Sequence, residues 1–428
     1  MTTIMRRKAG LLIMFMGIVP FVAAQEGPNL KRISLERFIQ MGLQNNPGLK
    51  SAKYSVDAGR SKIPQAGALP DPVLSVNLMN LPVNTFVFDQ EPMTGKQFAL
   101  MQKIPFSGKL GLKKEIARES FERQKFRLKE LENQLKLAIK KTYFSLFAVD
   151  QTLIVTEKNM QLLQQFERIA ETRYAVGKGL QQDVLKAQVE RSKLLDQKIS
   201  LRQKRRSLQA KLNSLVNRPA GKPIGKIRSI RMDSLSENRQ NLKKLVIKNR
   251  PFLKMLRAQI RQSGEMIRLA RKNFLPDFSL GIAYTQRNRL RNGMPGVDYV
   301  SAMVSVNLPV YFPKKQSKKL EETRLQKRSI EESYQNALNN IDFQIENTLA
   351  LMEKNKRRLA LLKTGIIPQA SQSLNAALMG YQVGKVDFLT LLNNQRTLFS
   401  YEIQYDQVLA DFEKNLAELE AIVGKKLF

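Results

Sequence analysis

The sequence predicts a mainly α-helical, internally duplicated chain with a small β portion of four strands. Three observations carry this. Tyr174-Ala-Val-Gly-Lys and Tyr381-Gln-Val-Gly-Lys lie 207 residues apart, and Leu212, Leu215 and Val216 recur at the same spacing as Leu419, Ile422 and Val423. Leu128, Leu131, Leu135, Ala138, Thr142, Leu146, Val149, Leu153, Thr156, Met160 and Leu163 advance by threes and fours, which marks a long helix packed along one seam. Two segments in each half alternate apolar and polar residues with a period of two, as strands do.

The elements follow in order. Arg6, Arg7 and Lys8, the apolar run Ala9 to Val19 and the small-residue site Val22-Ala-Ala24 read as a secretory signal over residues 1–24. The run is too short to span a bilayer. Ser34 caps a helix from Leu35 to about Ala66, broken at Asn45-Asn46-Pro47, where proline suits the first helical position. Its counterpart runs from Asn241 to about Lys272 around Asn249-Arg250-Pro251.

After Leu69-Pro-Asp71 and Leu275-Pro-Asp277 come strands whose apolar faces are Leu74, Val76, Leu78 and Leu280, Ile282, Tyr284. Second strands run from Gln97 to Ile104 and from Tyr299 to Leu308. Long helices from Lys109 to Arg173 and from Lys314 to Gly380 span about 100 Å each at 1.5 Å per residue. Gly177 and Gly384 end them at tight tips, and Asp183 and Thr390 stand where they could cap the return helices, Val184 to Asn217 and Leu391 to Val423. The chain therefore divides into a first repeat over 25–218, a linker over 219–239 and a second repeat over 240–428.

Composition narrows the function classes. The chain has no cysteine and no histidine, which removes thiol and histidine catalysis and the usual zinc ligand sets. No paired carboxylates, nucleophile–base set or phosphate loop appears, so neither enzyme activity nor a cofactor or metal site is expected. The net charge is +35, and subtracting the three basic residues of the signal leaves +32. That charge on a cytosolic protein would point to nucleic acid; export argues against it, and the cations lie along solvated helix faces with anionic lipid as a possible contact.

Four strands cannot close a barrel, and an open sheet in lipid leaves costly unpaired edges. Three copies supply twelve strands, enough for a channel. The same threefold places twelve helix lengths side by side as a second, helical tube. The chain resembles the TolC-type outer membrane efflux proteins over essentially all of its mature length. It does so in the duplication, the paired Tyr-x-x-Gly tips, Leu69-Pro-Asp-Pro72 and Leu212-Asn-Ser-Leu-Val-Asn-Arg-Pro219.

The resemblance implies a homotrimer with a β-barrel in the outer membrane and an α-helical barrel through the periplasm. It would serve as the exit duct of a pump completed by a periplasmic adaptor and an inner-membrane RND-type transporter. Ala68-Leu-Pro-Asp-Pro72, Glu91-Pro-Met93 and Gln102-Lys-Ile-Pro-Phe-Ser-Gly-Lys-Leu110 resemble the branch serving heavy-metal pumps. The family's constriction falls on Asp183 and Tyr381; its paired acidic positions fall on Thr390 and Asn393, and its basic tip residue on Val386. Asp387 lies beside that network. Tyr174, Gly177, Lys178, Gly384 and Lys385 form the tips that would meet the adaptor. A periplasmic coiled-coil scaffold is the alternative, and it leaves the four strands without a purpose.

Overall fold

The computed structural model describes residues 34–427, apart from 228, 231 and 233–236. The signal read over residues 1–24 lies outside the described residues, as does part of the linker. Local rules place the first elements. The Ser34 side chain accepts the Arg37 N–H at the start of α1 (Leu35–Asn45). Asn46 then stops α1 and caps α2 (Pro47–Gly67) by accepting the Leu49 N–H. Its amide also donates to the Leu215 carbonyl at 2.9 Å, which joins α2 end to end with the return helix α4 (Gln181–Leu215).

The spine is α3 (Lys109–Ala175), 67 residues long and so about 100 Å. Of its expected stripe, Leu135, Thr142, Leu146, Val149, Leu153, Thr156 and Leu163 are buried. Both of its flanks are covered: α2 and α6 (Pro251–Lys272) lie along its first part, α4 and α9 (Phe388–Val423) along its second.

Around the spine, α5 (Arg239–Asn249) and α6 repeat the broken pair α1/α2, with Arg250 at the break. Arg250 donates to Glu130 at 2.9 Å and to the Ala421 carbonyl, so the second break is locked through a guanidinium where the first uses an amide.

The second long helix departs from the expectation of an unbroken rod. It runs as α7 (Gln316–Leu361), a π-helical turn (Leu362–Ile366) and α8 (Ile367–Gln382). Pro368 explains this: it has no N–H to donate and its ring crowds the carbonyl four residues back, so the ladder widens by one residue ahead of it.

The strands β1 (Val73–Met79), β2 (Gly95–Ile104), β3 (Phe278–Gln286) and β4 (Tyr299–Val306) form one antiparallel sheet in the order β1-β2-β3-β4. The β2–β3 ladder joins the two halves of the chain, and β1 and β4 are left as edges. Register aligns Leu74 with Leu100 and Ile282, and Val76 with Phe98, Tyr284 and Val300, on one face. That face is bare: Val300 is 81% exposed, Val304 69% and Leu74 68%. The other carries Ser75, Asn77, Gln97, Thr285, Ser301 and Ser305, with Gln97 bridging Asn77 and Thr285. Among the described residues no helix is long and apolar enough to cross a membrane. The sheet is therefore the part whose chemistry suits lipid on one side and water on the other.

At the helix end of the sheet, Lys109 is buried and donates to Asp277 and to the Leu275 carbonyl, both at 2.8 Å. At mid-length, the described part of the linker folds back on the helices. Asp150, fully buried, accepts the Ile227 N–H at 2.8 Å and pairs with Arg205, which donates to the Ile224 carbonyl. Two apolar cores meet here, one around Phe38, Phe147 and Leu212, the other around Leu253, Ile345 and Leu419; a third lies at the tips.

Candidate functional site

The two tips, opposite the sheet, are built alike because their sequences are alike. Gly177 and Gly384 sit at φ +70° and +78°, a conformation that side chains resist. Each closes its helix with paired bonds: Gly177 N–H to Tyr174 and Lys178 N–H to Arg173, then Gly384 N–H to Tyr381 and Lys385 N–H to Gly380. Gly380 is small for a different reason. A Cβ there would meet Val386 Cγ2 at 2.5 Å, so the second tip is folded tightly on itself.

The expected caps are reassigned. The residue before α4 is Leu180, with no side-chain cap; Asp183 lies in the first turn, where a carboxylate suits the positive end of the helix. The cap of α9 is Asp387, which accepts the Thr390 N–H at 2.7 Å and the Thr390 hydroxyl at 3.2 Å, so Thr390 is the capped residue and not the cap. These bonds hold the Asp387 carboxyl below its ordinary value.

With its own helix making no claim on it, Asp183 accepts the Tyr381 hydroxyl at 3.2 Å, bridging the two hairpins. Tyr381 is 3% exposed and its ring lies 5.2 Å from that of Phe388. Burial first, and the Asp183 carboxylate second, push its hydroxyl up to about 12, so it stays a proton donor at any physiological pH.

Arg173, a residue the sequence reading did not single out, completes the cluster. Its guanidinium lies 4.8 Å from the centre of the Tyr381 ring. It donates to the carbonyls of Tyr381, of Gln382 at 3.1 Å and of Lys178 at 2.9 Å. Val386 itself carries no charge, and the cation at this tip comes from the first hairpin. One signal was available: at the 207 spacing Arg173 aligns with Gly380, so one copy carries a long cation where the other has no side chain.

Further along the hairpins, Arg396 of α9 bonds Glu190 of α4, which Lys193 also reaches at 2.7 Å. Burial raises the Glu190 carboxyl, but the bonds from Arg396 and Lys193 outweigh it and leave it below its usual range. Gln395 donates to Asn159 at 2.8 Å within the buried seam. Asn393 is exposed and stands apart from this network. Tyr174 and Lys178 of the first tip and Lys385 of the second are exposed, and neither lysine pairs with a carboxylate among the described residues. The site is a set of directed bonds that joins the two hairpins.

Comparison with known proteins bears on the whole chain. A family model described as outer membrane efflux protein matches residues 38–218 and 242–425. The cobalt-zinc-cadmium resistance protein CzcC of Cupriavidus metallidurans is 22% identical over 414 residues, covering 92% of this chain and 90% of its own. Among solved structures, CusC, described with the conformational changes of transmembrane channel formation, superposes with a TM-score of 0.79 at 14% identity over 93% of each chain. The outer membrane protein VceC of Vibrio cholerae gives 0.77 at 15% identity, over 92% of this chain and 97% of its own.

Proposed function

The chain belongs to the outer membrane efflux protein family, and from that premise we propose that three copies close a twelve-stranded barrel in the outer membrane above a helical tunnel through the periplasm. The observation that carries this is the sheet itself. It presents one apolar face, one polar face and two unpaired edges, and unpaired backbone groups in lipid cost several kcal/mol each. Pairing β4 of one copy with β1 of the next removes both edges, puts the polar face around a lumen and leaves the apolar face on lipid.

The duct is passive. The tips dock a periplasmic adaptor through Tyr174, Gly177, Lys178, Gly384 and Lys385, and an inner-membrane RND-type pump drives export. Asp183 and Tyr381, with Arg173, hold the tips closed; Asp387 supports that closure by fixing the start of α9, and Thr390 and Asn393 replace the acidic ring of related ducts with neutral side chains. The chain works as two repeats, 25–218 and 240–428, joined by 219–239, with 1–24 removed on export. It performs no catalysis and needs no cofactor. The cargo is small solutes, and the cobalt-zinc-cadmium resistance relative makes heavy-metal cations the first class to test.

The test is the mass of the protein extracted from membranes in mild detergent, by light scattering, with conductance of the same peak in planar bilayers. A trimer that conducts is expected; a monomer or dimer that needs no detergent would overturn the proposal.

A further inference from the structure

Where the sheet meets the helices, a pocket of about 560 Å³ opens between the start of α3 and the end of α6. Gly108, Gly111 and Leu112 line one side; Arg268, Arg271 and Lys272 line the other. A Cβ on Gly111 would meet nothing within 4 Å, so the space beside it is open, and one on Gly108 would lie 3.7 Å from the end of the Lys272 side chain. The accessible lining is almost wholly carbon, yet three cations stand around it.

Arg268 pairs with Glu265 at 3.1 Å. Arg271 and Lys272 have no carboxylate partner among the described residues. Lys272 instead places its ammonium 5.4 Å from the centre of the Phe106 ring. Phe106 lies two residues past the end of β2, so Lys272 reaches to the rim of the sheet. Phe274 and Phe312, 6.4 Å apart, stand at the same level, as aromatic residues do where a bilayer meets water.

We propose that this pocket binds an anionic phospholipid of the periplasmic leaflet, its phosphate held by Arg268, Arg271 and Lys272 and the top of an acyl chain laid against Gly108, Gly111 and Leu112. Two features favour a lipid over a free anion. The floor is apolar, and the cations stand beside the helix end of the sheet, at the headgroup depth of a sheet that spans the membrane, where each gains from the negative surface of the leaflet. The helices point into the periplasm, which assigns the inner leaflet. The inference rests on the placement of the sheet in the outer membrane.

The test uses the full-length protein in mild detergent and native mass spectrometry with phosphatidylglycerol or phosphatidylcholine added. Phosphatidylglycerol is expected to stay bound at one per chain and phosphatidylcholine to leave. The triple variant R268Q/R271Q/K272Q is expected to bind about a hundredfold more weakly. A triple removal on the exposed part of α4, R202Q/K204Q/R206Q, should leave binding unchanged. Gly111→Leu keeps every charge and fills the floor; it should weaken phosphatidylglycerol about tenfold without loss of thermal stability. Equal retention by both triple variants, equal retention of phosphatidylcholine, or displacement by inorganic phosphate at matched concentration would each overturn the proposal. Failure of the membrane placement is distinguishable, since every variant would then fractionate away from membranes.

Discussion

Removing the Arg173 guanidinium should loosen the tips. In Arg173→Met the aliphatic stem survives and the donors vanish. Across the hairpins those donors serve the Tyr381 and Gln382 carbonyls, the first partly buried and the second exposed. Counting only the partly buried charged bond at about 1.5–3 kcal/mol, and about 0.5–1 kcal/mol for the cation over the Tyr381 ring, gives about 2–4 kcal/mol. If that energy holds the closed arrangement, the open fraction rises roughly 30- to 700-fold. Single-channel recording in planar bilayers measures this as open probability. Tyr381→Phe, which removes the hydroxyl bonded to Asp183, should combine with Arg173→Met non-additively because both act on one contact. An Arg173→Met duct with parental open probability and parental thermal stability would refute the latch.

Three further outcomes are expected. With no native cysteine, Ser75→Cys on β1 combined with Ser301→Cys or Ser305→Cys on β4 should give a covalent trimer on oxidation for one of the two pairs, read on a denaturing gel; dimers alone would contradict a closed ring. Asp150→Ala strands Arg205 and the Ile227 N–H in a buried site and should cost about 3–5 kcal/mol in thermal unfolding, far more than Asp411→Ala on an exposed helix face. Burial, with Glu402 beside it, raises the Asp406 carboxyl to about 6. A carboxyl raised on folding contributes most below its unfolded value of about 3.8, and the contribution is lost as pH climbs through 6. Asp406→Asn should therefore match the parent near pH 4 and exceed it by about 1–2 kcal/mol at pH 7, after discounting for partial exposure.

What could be read from the chain alone was whatever neighbours within a few residues decide. The Ser34 cap, the Asn46-Pro47 break and the left-handed glycines at 177 and 384 stand as expected, because a cap or a C-terminal turn is satisfied by groups three to five residues away. The strand faces were equally legible, since alternation assigns sides without knowledge of any partner. Composition, for its part, left little room for chemistry.

The tertiary structure decided everything that depends on which helix lies beside which. The 207 register suggested Asp183 and Thr390 as equivalent caps, although Asp387, three residues ahead of Thr390, had the better cap spacing. Folding uses Asp387 for that and spends Asp183 on Tyr381, 198 residues away. Arg173 crosses 208 residues to the second tip, Arg250 reaches Glu130 across 120, and the phospholipid pocket exists only because the start of α3 lies against the end of α6. No local pattern encodes such pairs. A charged side chain reads the same in sequence whether it points to water or to a carbonyl on another helix, and only the packing of the long helices, cemented by their buried apolar seams, selects between the two.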